Sequence, residues 1–227
     1  VPNLLTSPEG TAIRQVARDM DFHVTAGILL ASDFGVPQNR KRAFIVGSKL
    51  GPVDLPEATG VRMTVRRAFK GIPANPKTYG FVQNGPVPTS KLHIGCRPTE
   101  TSRRRYALIP PGGNRFDLER LAPELTPDCW RRKRDGGTDL FGRLEWDQPA
   151  RCTIRTEFYK PEKGRYLHPS ENRPITHWEA ARLQTFPDDF LWCGSKIQIA
   201  IQIGNAVPPK LAEVVAGHVA AHLLNRL

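Results

Sequence analysis

Apolar residues at Ile13, Val16, Ala17 and Met20 recur at spacings of three and four behind Pro8 and Glu9, which predicts an amphipathic helix over residues 9–20. Residues 22–30 then read as a strand, and the apolar run 43–46 as the buried part of a second strand over 42–47. Pro37, which lacks a backbone donor, suits that strand's first position. Side chains alternate along a strand, so Gln38, Arg40 and Arg42 are expected on one face and Asn39 and Lys41 on the other. Helix, strand and returning strand fit the last, antiparallel-edged part of a doubly wound α/β sheet.

Periodicity fades after residue 50. Residues 51–60, with two prolines, read as a linker. From there to about residue 163 the pattern is one of short strands or loops, broken by Pro110-Pro111-Gly112-Gly113 and Asp135-Gly136-Gly137. Regular patterning returns at Thr176 and Glu179, a Thr-x-x-Glu capping box that predicts a short helix ending before Pro187, with Trp178, Ala181 and the 183–186 stretch as buried contacts. Gly204 is expected to permit a tight turn, and Pro208-Pro209 to open a final helix reaching about residue 225 and burying Leu211, Val214, Val215, Val219 and Leu223.

Composition narrows the class. A chain of 227 residues with 39% hydrophobic content is long enough for a real core, while 19 glycines and 21 prolines predict many turns. No apolar run approaches the ~18 residues of a membrane span, and residues 1–20 show no basic-then-apolar leader pattern, so a soluble, cytoplasmic protein is expected. Cys96, Cys129, Cys152 and Cys193 form no Cys-x-x-Cys pair, and His218 and His222 lack the Glu of a helical zinc motif, so neither a metal site nor a disulfide framework is indicated.

The formal charge of +11 is uneven: +2 over residues 1–50, +9 over 51–165 and 0 over 166–227. Concentrated positive charge favours nucleic acid, because neutralised phosphates release counterions. The densest clusters are Arg103-Arg104-Arg105 and Arg131-Arg132-Lys133-Arg134, each readable as a phosphate-tracking surface or as a solvated face. Gln38, Arg40 and Arg42 form a smaller row of planar donors suited to phosphate oxygens or to the carbonyl edge of a base, or else a solvated strand end.

Three blocks in order give the row a context. Gln38-x-Arg40-x-Arg42, preceded by Asp33-Phe34-Gly35-Val36-Pro37, resembles the Gln-x-Arg-x-Arg block of the DNA cytosine-5 methyltransferases, the eighth of that family's motifs. The run from Asn172 to Asp188, including Arg182-Leu183-Gln184-Thr185-Phe186-Pro187, is similar to its ninth, with Trp178 where the family commonly has Arg. Gly204-Asn205-Ala206-Val207-Pro208-Pro209 is similar to its tenth.

The resemblance implies the C-terminal part of a Rossmann-like S-adenosylmethionine-dependent methyltransferase sheet plus a smaller, mostly β target recognition domain. It implies catalytic-domain strands over 1–50, a small domain over 51–203 with its recognition region at about 60–168, and a returning segment over 204–227. The activity implied is transfer of a methyl group from S-adenosylmethionine to carbon 5 of a cytosine flipped out of double-stranded DNA. Arg42 would hold the oxygen edge of that cytosine, Arg40 would bind backbone phosphate or the closing catalytic loop, and Gln38 would support both. Asn205, Ala206 and Val207 would line the cofactor pocket.

The family's nucleophile comes from a Pro-Cys-Gln block that none of the four cysteines matches, and its acid-base Glu would fall just before Val1. The chain is therefore expected to be a C-terminal half, inactive without an N-terminal half, and at home in a bacterial restriction-modification system at the nucleoid. A non-catalytic DNA-binding or regulatory module is the alternative.

Overall fold

Ser7 opens the first helix: its hydroxyl accepts from the Gly10 amide, Pro8 takes a first-turn position that needs no donor, and α1 runs Pro8–Asp19. The computed structural model describes residues 2–76, 80, 85–132 and 137–225. Strand β1 (His23–Leu30) pairs antiparallel with β2 (Lys41–Ser48), His23 opposite Ser48 and Leu30 opposite Lys41. A 3-10 turn, Ala31–Phe34, ends on Gly35 at φ 75°, a left-handed conformation that glycine adopts without strain. Among the described residues no further strand joins this pair. The apolar face of α1 accordingly lacks its expected cover: Ile13, Val16 and Met20 are 50, 57 and 55% exposed.

The middle of the chain departs from the mostly β expectation. It folds as short helices, α2 (Val65–Ala68), α3 (Glu100–Leu108), α4 (Arg115–Leu121) and α5 (Asp128–Arg132), with only the two-residue strand β3 (Val87–Pro88) among the described residues. Local chemistry explains the difference. Thr99 caps α3 by accepting from the Ser102 amide, Asn114 and Asp117 form a capping box for α4, and arginine is a good helix former. Charge density had masked helix propensity.

The C-terminal third is closer to expectation. Helix α6 (His177–Leu183) starts at the Thr176–Glu179 capping box, β4 (Leu191–Trp192) pairs with β3, and α7 (Lys196–Asn205) is followed by α8 (Pro209–Leu224). Two expectations fail. Of the five α8 residues expected to be buried only Leu211 is: Val214, Val215 and Val219 are half-buried and Leu223 is 41% exposed. Gly204 lies inside α7 rather than in a turn, and a Cβ there would sit 2.3 Å from the Thr156 amide nitrogen. Close backbone approach is what requires the glycine.

Three apolar clusters hold these elements. The largest runs from Val65 through Phe158 and Leu183 to Ile203. A second gathers Tyr106, Ile109, Leu118, Phe141 and Leu167. The third joins Leu29, Ala31, Phe34 and Val36 to Leu211 of α8.

A buried polar node sits beside the first cluster. Glu179 is 1% exposed, accepts from both Arg173 terminal nitrogens at 2.8 and 2.7 Å, and accepts from the Thr176 amide at 2.7 Å. Arg173 also bonds Glu171 at 2.7 Å. His168 stacks on Phe69 and accepts the Glu171 amide at its Nδ1, so burial holds its pKa down at about 4. His177 is held at about 3, chiefly by burial.

These two depressed imidazoles give a pH prediction. Unfolded histidines titrate near 6.5, so below that pH the unfolded chain binds protons that the folded chain refuses. The stability they contribute is complete above pH 6.5 and is lost as pH falls toward 4. Urea midpoints at pH 7.5, 6 and 5 should decline, by up to about 1.4 kcal/mol per pH unit for each histidine. The decline should become shallower in His168→Gln; a flat profile from 7.5 to 5 contradicts the reading.

Candidate functional site

The Gln-x-Arg-x-Arg row does not act as one face. Ahead of β2, Asn39 donates its amide to the Ala150 carbonyl at 2.8 Å and Ala150 donates back to Pro37 at 2.9 Å, a short parallel pairing. That pairing lays residues 151–155 beside residues 39–42. Gln38 is fully buried: its side chain donates to the Leu183 carbonyl at 2.8 Å and accepts from the Ile154 amide at 3.1 Å.

Arg40 is equally buried, and donates to the carbonyls of Ile154, Gly204 and Ala206 at 2.9, 2.8 and 2.8 Å. Its guanidinium is thereby spent on backbone, so the expected phosphate or loop contact is not open to it. Arg40 instead joins the segment before β2 to the segment after Cys152 and to the end of α7.

Arg42 alone of the three reaches a cavity. Its guanidinium is half-buried, donates to the Lys41 carbonyl at 2.8 Å, and has its pKa lowered by that burial. The cavity, about 610 Å³, is lined by Asn39, Lys41, Arg42, Arg151, Arg155 and Asn205 among others. Asn39 and Arg151 also line an adjoining cleft of about 720 Å³, whose far wall carries Asp33, Val61, Arg62 and Gln148. The two form one groove between the β1–β2 hairpin and the segments around residues 60 and 150.

Positive charge predominates in the groove, whose acids are Asp33 in the outer cleft and Asp139 in the inner cavity. Arg151 pairs with Glu145 at 2.7 Å, and the acid of the inner cavity, Asp139, is engaged by Arg165 at 3.2 Å. Lys41, Arg42, Arg62 and Arg155 have no carboxylate partner among the described residues. Cys152 lines the inner cavity, but burial pushes its thiol up to about 11, so it stays protonated and non-nucleophilic at neutral pH.

Of the cofactor-side residues, Asn205 lines the inner cavity, the Ala206 carbonyl is taken by Arg40, and Val207 is largely exposed. Of the basic clusters, Arg103 and Arg104 are exposed on α3, with Arg103 facing Glu100 at 3.6 Å, and Arg105 donates to the Leu125 carbonyl at 2.7 Å. Arg131 of α5 faces Asp128 at 3.9 Å and Arg132 is exposed. Neither cluster lines the groove; Lys133 and Arg134 lie outside the described residues. Arg62, Arg151 and Arg155 were not legible as site residues. Their only sequence signal is an isolated Arg-x-x-x-Arg, without charge density.

Comparison with known proteins gives the arrangement its context. The family model described as C-5 cytosine-specific DNA methylase matches residues 1–85 and 97–221. The Type II methylase M.HgiDII of Herpetosiphon aurantiacus is 29% identical over 226 residues, covering 95% of this chain and 61% of the relative. The Type II methyltransferase M.PspPI of Psychrobacter sp. is 34% identical over 220 residues, covering 94% and 49%. The chain thus spans about half to three fifths of the length of these relatives. A crystal structure of a putative DNA modification methyltransferase encoded within an E. coli prophage shares the fold, with a TM-score of 0.66 at 22% identity, covering 97% of this chain and 67% of that one.

Proposed function

Because the chain belongs to the C-5 cytosine-specific DNA methylase family, we propose that it forms the C-terminal half of a DNA cytosine-5 methyltransferase, contributing the target-base side of the active site and the recognition region. The observation that carries this reading is the single groove in which Arg42 and Asn205, 163 positions apart in the chain, line one cavity beside cations that have no carboxylate partner among the described residues. The methyl donor is S-adenosylmethionine, which supplies an electrophilic methyl group. The residues fit one side of such a site: Asn205 presents an exposed carboxamide at the cavity, while the Ala206 carbonyl beside it is already used by Arg40.

In this reading Arg42 donates to the oxygen edge of an extruded cytosine, and its partial desolvation strengthens that bond. Arg40 and Gln38 are positioning residues that hold residues 154 and 204–206 against the strand carrying Arg42. Residues 1–50 and 204–227 belong with the catalytic domain, as the shared cluster of Leu29, Phe34 and Leu211 supports. Residues 51–203 form the small domain, with α3 and α5 available for outer DNA contacts.

The test is methyl transfer from labelled S-adenosylmethionine to mixed-sequence duplex DNA, by this chain alone and with a separately produced N-terminal half carrying a Pro-Cys-Gln block. Activity is expected only in the mixture and should fall sharply with Arg42→Ala. Transfer by the chain alone, or none in a mixture of two folded halves, overturns the proposal.

A further inference from the structure

Resting on that reading, we infer that Lys41, Arg62 and Arg155 are the phosphate-gripping residues of the groove, and that the denser arginine clusters of α3 and α5 are secondary. Lys41 and Arg155 line the inner cavity and Arg62 the outer cleft, which share Asn39 and Arg151 and so adjoin. All three are exposed, and none has a carboxylate partner among the described residues. Arg62 is oriented by its bond to the Gln148 side chain at 2.7 Å, a neutral partner that leaves its charge intact.

Placement in the groove together with a free charge decides the assignment. Arg151, between the two cavities, is neutralised by Glu145. On α3 and α5, Arg103 and Arg131 each face an acid one turn away, and Arg104 and Arg132, exposed without a carboxylate partner among the described residues, line neither cavity. A polyanion gains most where a cation has no internal counter-charge to give up, because each phosphate neutralised there releases a condensed counterion. The cations share the groove lining with Asn39 and Gln148, whose amides can also donate to a phosphodiester backbone.

The experiment is the salt dependence of duplex binding by the full 227-residue chain, followed by fluorescence anisotropy on a short mixed-sequence DNA. In K41Q/R62Q/R155Q the slope of log affinity against log salt should shrink by about 2.7, roughly 0.9 for each lost phosphate contact. R103Q/R104Q should change it by less than one such step. Glutamine keeps much of each side chain's length at exposed positions, and a urea midpoint matching the parent's shows that the fold is retained. Should the triple variant unfold, the three single variants carry the test, each expected to reduce the slope by about 0.9.

An unchanged slope in the folded triple variant, or in the singles, overturns the assignment, as does a larger loss in R103Q/R104Q. Absence of any salt-dependent binding by the parent chain would instead sink the functional reading itself.

Discussion

Arg40→Ala is expected to destabilise the chain by about 3–5 kcal/mol, read as a lower urea midpoint at unchanged slope. The guanidinium is fully buried and satisfies three carbonyls, those of Ile154, Gly204 and Ala206. Removing it leaves those acceptors without their donors and opens a cavity. Arg40 Nε is already buried without a partner, a cost the native state carries for the sake of the other two nitrogens. Arg40→Lys should recover little, since a single ammonium cannot reproduce a planar fork aimed at three acceptors. A loss below about 1 kcal/mol for the alanine variant would remove Arg40 from its central role.

Glu179→Ala should be of similar size, on the order of 3–5 kcal/mol. The carboxylate is almost wholly buried, holds Arg173 through two bonds and caps α6 at the Thr176 amide. Its loss strands a buried guanidinium with only Glu171 opposite, and uncaps the helix. For a chain of this size the thermal midpoint should fall by on the order of 10 °C. Glu179→Gln, which keeps an acceptor for the cap but not the charge, should lie between the two. Equal midpoints for parent and alanine variant would show that Arg173 finds other partners.

What the sequence made legible was local chemistry. The Thr176–Glu179 box, the Pro208-Pro209 opening of α8, and the two strands around Gly35 depend on residues within a few positions of one another, and each element lies within about two residues of its expected bounds. The family resemblance singles out Gln38, Arg40 and Arg42 together, and of the three Arg42 lines the groove while the other two are buried on backbone partners. The failures share a different cause. Gly204 is a glycine because Thr156 lies against it, and Arg40 is buried because three distant carbonyls converge on it. Arg155 enters the groove through the pairing of Ala150 with Pro37 and Asn39. None of these contacts leaves a periodic trace. In α3 the polar surface of a helix carries no apolar periodicity, and charge hides the propensity that arginine contributes.

The bonds made by Gln38 and Arg40 also bear on when the protein can acquire its shape. Each links to a residue between 114 and 166 positions further along the chain. During synthesis the β1–β2 hairpin can form as soon as it emerges, since its partners are close in sequence, but the amide and the guanidinium must wait in water until residue 206 has been made. Closing so large a loop is slow, and its entropy cost falls before the bonds that reward it exist. The groove therefore assembles late, together with the packing of α8 on the hairpin, which needs Leu211. A nascent chain spends its longest interval with the hairpin formed and these two side chains unmatched, the stage at which misassembly competes most strongly with folding.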